Sequence, residues 1–139
     1  MIDLLQGFQV ALDAGMLVLI WLTQLVIYPG LTHFRKEELN LWHPIYTRNM
    51  TYIVMPLMLL QLAGSVVLCW QSWTLLSIGH LSTILIAWGI TFVYAVPAHQ
   101  KLTASKDPVQ VAHSLVKINW PRTWVWTLTF LLSLLMDVI

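Results

Sequence analysis

The sequence predicts an all-α integral membrane protein: one domain of four spans, packed as a four-helix bundle with short cytoplasmic surface helices. Three observations predict it. Mean hydropathy is +0.75, and 58% of the 139 residues are apolar against 9% charged, where a soluble domain carries roughly 25% charged residues. The chain holds enough uncharged, apolar sequence for four crossings of about 20 residues each. All 7 lysines and arginines fall in or beside two of the connections between those crossings, which is the asymmetry that orients membrane proteins.

The first span is expected near residues 9–31, because no formally charged residue occurs between Ala14 and Phe34. The stretch before it lacks the basic start of a secretory signal and carries Asp3 and Asp13, so it reads as a retained helix. From Asn49 to Gln100 charge is again absent. That length accommodates spans near 50–71 and 77–98, with a turn marked by Gln71-Ser72-Trp73 and Ser77-Gly79-His80. The last span is expected near 121–138, with only Asp137 charged beyond Arg122.

Arg35, Lys36 and Arg48 lie between spans one and two, and Lys101, Lys106, Lys117 and Arg122 lie between spans three and four or at their edge. Both connections are therefore expected in the cytoplasm, at a bacterial inner membrane, with both termini outside. Trp70 and Trp73 mark the outer interface, and Trp42, Trp120 and Trp124 the inner one. In the first connection Leu39, Trp42, His43 and Tyr46 recur at helical spacing, which predicts a surface helix. In the second, Asp107-Pro108 is a helix start, with an aspartate cap and a proline in the first position.

The two halves are loosely alike. Tyr28-Pro29 ends span one and Val96-Pro97 ends span three, each followed by a histidine, His33 or His99. A parallel repeat of two hairpins would give that pattern.

The net charge of +1 says little about partners, because the distribution of charge matters more than its sum; the bilayer is the expected partner, and no nucleic acid is expected. Cys69 is the single cysteine, which excludes an internal disulfide and a thiolate metal cage. No histidine pair has the spacing of a helical zinc site, and no glycine-rich phosphate loop occurs.

The polar residues that need explaining gather at the cytoplasmic ends of the spans. The stretch Lys117-Ile118-Asn119-Trp120-Pro121-Arg122-Thr123-Trp124 puts an arginine at the mouth of the last span, a costly position without partners. His43, His99 and Arg122 are the candidate catalytic residues. Tyr28, Arg48, Asn49, Gln61, Asn119 and Arg122 are the candidate ligand-binding residues, for an apolar or anionic small molecule. A metal or haem would draw on His33, His43, His99 and His113, since imidazole suits iron, copper and zinc; whether those rings converge stays open. Pro56 is expected to bend span two and open a cavity beside Gln61. Asp13 and His80 sit towards the opposite end and are expected at the outer interface, facing headgroups.

With Tyr28-Pro29, the His43 to Asn49 stretch, Pro56 to Gly64, Pro97-Ala98-His99 and Asn119-Trp120 to Arg122-Thr123 in view, the chain resembles a group of small four-span bacterial membrane proteins. Many of these have a Tyr-Pro end to the first span and an Asn-Trp-x-Arg-Thr entry to the last. More distantly it is similar to membrane proteins grouped with anthrone oxygenase. It is also similar to four-span protoporphyrinogen oxidases, whose Pro-Ala-Met-like second span looks like Pro56-Leu57-Met58. Those oxidases use a haem-associated histidine near the start of the chain, and residues 1–32 here contain none.

The resemblance implies an oxidoreductase or oxygenase-like enzyme acting on an apolar substrate. Two other functions compete with it: a non-catalytic binder or transporter of a lipid or small molecule, and a structural partner subunit. Oligomeric state is open, although Ala63-Gly64 and Ala87-Gly89 would permit close helix contact.

Overall fold

The computed structural model describes residues 2–138, and among them every element is helical. Helix α1 (Ile2–Leu22) passes through a π-helical turn (Thr23–Ile27) into α2 (Tyr28–Leu31), making one rod. Helix α3 (Lys36–Gln71) is the second rod. Helix α4 (Leu75–Ile90), a second π-helical turn (Thr91–Ala95) and α5 (Val96–Ala104) make the third, and α6 (Pro108–Val138) is the fourth. The rods alternate in direction, because each connection is only a few residues long. Both termini and the 72–74 turn lie at one end, and the 32–35 and 105–107 connections lie at the other, here termed the loop end.

The helix ends follow local chemistry. Thr74 Oγ1 accepts from the Ser77 amide at 3.2 Å, so α4 starts at Leu75, and Ser77, Gly79 and His80 are helical instead of forming the expected turn. Asp107 Oδ1 accepts from the Gln110 amide at 3.2 Å, with Pro108 in the first helical position, as the sequence predicts. The expected separate surface helix over Leu39 to Tyr46 is corrected: that stretch is the first part of α3, unbroken through Pro44 and Pro56. Both prolines are exposed. The carbonyls they leave unpaired one turn earlier are therefore not trapped in the interior, where the loss would break the helix.

The two π-turns have a shared cause. Each begins with a threonine that bonds back to its own helix: Thr23 Oγ1 to the Leu19 carbonyl at 2.7 Å and Thr91 Oγ1 to the Ala87 carbonyl at 2.8 Å. In each, the following helix makes its first bond five residues back, Tyr28 N–H to Thr23 O and Val96 N–H to Thr91 O. Pro29 and Pro97 come immediately after. A proline ring collides with the carbonyl four residues before it, and one surplus residue in the ladder moves that carbonyl aside.

Three rods are long and apolar enough to cross a membrane: Asp3–Leu31, Lys36–Gln71 and Leu75–Leu102. The fourth, α6, has 31 residues but spends its inward face on Asn119, Thr123, Thr129 and Ser133, all buried. It packs against α1, α4 and α5, so its polar side chains are covered by protein. One apolar core near the loop end joins Tyr28, Leu31, Leu39, Ala98, Leu102, Ala112 and Leu115. A second at mid-length joins Met16, Ile20, Met58, Ile84, Ala87 and Trp126. The outside is unusually apolar, with Leu4, Val18, Tyr52, Trp70, Trp73 and Leu75 each at least 65% exposed.

Candidate functional site

A half-open cavity of about 470 Å³ runs along the rods, with exposed walls at Pro44, Thr51, Phe92 and Val96, from Met16 and Met58 at mid-length to Tyr28, His43, Tyr46, His99 and Arg122 near the loop end. Its body is apolar, with Ile20, Met50, Val54 and Phe92 among the walls, and its polar groups are concentrated at that one end. Methionine supplies four of the lining residues, and its flexible thioether adapts to irregular shapes.

Each of the four rods contributes a residue to the polar end. Tyr28, the first residue after the first π-turn, places its hydroxyl 2.8 Å from His99 Nε2, and His99 Nδ1 lies 2.9 Å from His43 Nε2. Tyr28 meets the His99 ring edge-on at 5.3 Å between centroids, while His43 stacks on it at 5.1 Å. The surplus residue of a π-turn rotates the next helical segment by about 100° relative to a plain α-helix. Both Tyr28 and His99 lie just beyond such a turn, and both reach the cavity.

A hydrogen-bonded chain of a phenol and two imidazoles holds one proton per bond. It has two self-consistent arrangements, with all protons shifted one way or all the other, because each imidazole accepts at one nitrogen while donating at the other. Switching between the two carries a net proton along the chain. Proton relay is therefore the chemistry this geometry permits.

Arg122 closes the polar end and lies close enough to act electrostatically on Tyr28, Tyr46 and His99. Its Nη1 donates to Asn119 Oδ1 at 3.4 Å, and its buried Nε has no partner. Among the described residues no carboxylate pairs with this arginine, and the one histidine–carboxylate contact, His80–Asp13, belongs to another part of the bundle. The guanidinium thus faces the cavity with no carboxylate to offset it.

Asn119 is turned so that its other face donates to Gln24 Oε1 at 2.9 Å, while Thr123 Oγ1 donates to the same oxygen at 3.3 Å. Gln24 Nε2 in turn donates to the Val116 carbonyl at 3.2 Å. This knot fixes the first π-turn against α6 and holds Asn119 where it orients Arg122.

The structure brings together Tyr28, His43, His99, Asn119 and Arg122. It does not bring the others to them. Arg48 and Asn49 are exposed, because the inward face of α3 runs through His43, Thr47, Met50, Val54 and Met58. His33 is exposed and bonds locally to Thr32 and Pro29, and His113 is exposed. Three of the four ring nitrogens of His43 and His99 are engaged within the relay. No group of three His, Cys, Asp or Glu side chains that could hold a metal occurs among the described residues. A metal held by both histidines would have to displace a relay bond at His99, and His43 Nδ1 is the one ring nitrogen of the pair outside the relay.

Gln61 does not line the cavity. It is fully buried beyond its mid-length end, in a second polar cluster that sequence reasoning misses. There Asp13 and His80, expected at an interface, are 1% and 0% exposed. Asp13 Oδ2 lies 2.7 Å from His80 Nε2, and His80 Nδ1 lies 2.9 Å from Ser65 Oγ. Asp13 Oδ1 accepts from Gln61 Nε2 and, at 3.2 Å, from Gln9 Nε2. The signal available in the sequence is that Gln6, Gln9 and Asp13 share a helix face with Gln24 and Tyr28; that whole face turns inward.

No family model, curated protein or solved structure matches the chain.

Proposed function

We propose that the chain is a four-span bundle of the bacterial inner membrane, with its loop end in the cytoplasm and both termini outside. In this reading the large cavity takes an apolar molecule from the bilayer, its carbonyl or anionic head seated against Arg122. The exposed apolar girdle supports the membrane reading, because a surface of that kind is stable only in lipid or against a partner. The polar residues of α6 are compatible with a fourth span, since protein covers them.

One observation carries the functional reading: the cavity is apolar along its body and ends on an uncompensated guanidinium beside a phenol–imidazole–imidazole chain. Arg122, steadied by Asn119, orients the head. Tyr28, His99 and His43 deliver a proton to it or remove one. Proton transfer at the head of an apolar substrate suits an oxidoreductase or oxygenase-like enzyme, with His43, His99 and Arg122 in the reacting shell. The largely apolar body of the cavity supports a second reading, a lipid or small-molecule binder or transporter.

The test is to purify the protein in mild detergent, extract it with solvent and identify what co-purifies by mass spectrometry. The expected result is enrichment of a molecule with an apolar body and an acidic or carbonyl head, lost in Arg122→Gln while the helical circular dichroism is kept. An extract matching the bulk membrane lipids in both proteins would refute the proposal.

A further inference from the structure

The Asp13–His80 cluster lies between two cavities. On one side, Met16 and Met58 form the mid-length end of the large cavity; they stand one helical turn from Asp13 and Gln61. On the other side a second cavity of about 400 Å³ opens at the end carrying the termini, lined by Gln6, Leu68, Ser72, Thr74, Ser77 and Met136, among others. Gln6, Leu68 and Ser77 stand one turn outward from Gln9, Ser65 and His80. The cluster thus separates a vestibule at one end from the substrate cavity, and it is the polar material between them.

Its hydrogen bonding is that of a site for a proton. The His80 Nε2–Asp13 Oδ2 bond at 2.7 Å holds one proton. His80 Nδ1 faces Ser65 Oγ at 2.9 Å, a hydroxyl able either to donate to the ring or to accept from it. Uptake of a proton at Nδ1 needs only that this hydroxyl turn round; the proton of the Nε2–Oδ2 bond then passes to Oδ2, leaving a neutral imidazole beside a carboxylic acid, and release reverses both shifts. No covalent bond other than N–H or O–H is made or broken. The amide oxygens of Gln9 and Gln61 are buried without partners, two acceptors left over in a cluster that is otherwise bonded. The buried polar residues of the packed helices near this level are Gln61 and Ser65 of α3, His80 and Thr83 of α4, and Thr129 and Ser133 of α6. Of these only His80 has an ionisable side chain, so Asp13 and His80 form an isolated pair.

We infer that Asp13 and His80 form a buried proton-exchange site, loaded through the vestibule at the termini end. This stands on the second cluster and its two flanking cavities, and it does not depend on what fills the larger one.

Infrared difference spectroscopy on the full chain in phosphatidylcholine vesicles tests it, comparing acid with alkaline buffer and water with D2O. The expected result is a carboxylic C=O band that follows pH and shifts down in D2O. It should be lost in Asp13→Asn and displaced in His80→Gln. Leu76 also lines the vestibule, and Leu76→Trp, which adds bulk there, should slow the D2O shift. A spectrum with no Asp13-dependent band at any pH overturns the inference. So does a band that stays unshifted in D2O as long as the buried backbone amides stay unexchanged, since the pair would then be a sealed structural contact. Should Asp13→Asn fail to fold, the D2O response of the native protein and the displacement in His80→Gln decide the matter.

Discussion

Gly64 offers a test of the buried cluster in which the sign of the effect reverses with background. A β-carbon at residue 64 would fall on Gln9 Oε1, the far end of a flexible side chain, so the backbone need not move. Gln9 must swing away instead, and it gives up two hydrogen bonds of 3.2 Å, one to Asp13 and one to the Gln61 carbonyl. A net hydrogen bond is worth about 1 kcal/mol, and one to a charged group about 1.5–3 kcal/mol. Against this loss of about 2.5–4 kcal/mol stands a gain of roughly 0.5–1 kcal/mol for alanine over glycine inside a helix. Gly64→Ala is therefore expected to destabilise by about 1.5–3.5 kcal/mol. In a Gln9→Ala background there is nothing to displace, and the same substitution should stabilise by roughly 0.5–1 kcal/mol. Denaturant unfolding in detergent micelles, followed by tryptophan fluorescence, reads both values in one double-mutant cycle. If Gly64→Ala has the same sign in both backgrounds, Gln9 does not occupy that space and the packing argument fails.

Other substitutions separate the remaining parts of the structure. Tyr28→Phe removes one end of the relay and leaves His99 Nε2 without its partner, at a cost of about 1–3 kcal/mol in the same unfolding assay; an unchanged stability would show that the bond is not made. Deleting Leu25 removes the surplus residue of the first π-turn and turns Tyr28 by about 100°. The deletion should abolish retention of the co-purifying molecule while circular dichroism stays helical, and full retention would refute the role given to the π-turn. Thr74→Val removes the cap on α4 and should cost about 1 kcal/mol, whereas Thr74→Ser should restore most of it. Arg48→Gln should leave retention of the cavity's occupant unchanged, because Arg48 is exposed; a loss would place that side chain in the site.

The helical class and much of the polar end are legible in the sequence, because they depend on composition and on where polar residues interrupt apolar runs. Tyr28, His43, His99, Asn119 and Arg122 all stand near such interruptions. Arg48 and Asn49 also stand there but point away, since α3 continues straight through the expected connection and the helical period then decides which residues face inward. Asp13 and His80 read as interfacial because hydropathy alone starts the apolar runs near residues 9 and 77. The helices in fact begin at Ile2 and Leu75, and their polar faces are covered by the other rods. The π-turns have a trace in the sequence, a threonine six residues ahead of each of Pro29 and Pro97. A trace that short is not readable before the partners of Tyr28 and His99 are known.

The pairing of π-turn and proline has a mechanical consequence. In both rods the helical ladder is weakest at the same level, just before the segments that carry Tyr28 and His99. Beyond that level α2 and α5 carry Tyr28 and His99 to the polar end of the cavity. Tyr28 bonds His99, and His99 bonds His43 of α3, so three rods are tied together there by the same two bonds that would conduct a proton. Passing a proton along the chain leaves that tie in place, since each bond holds one proton in either arrangement.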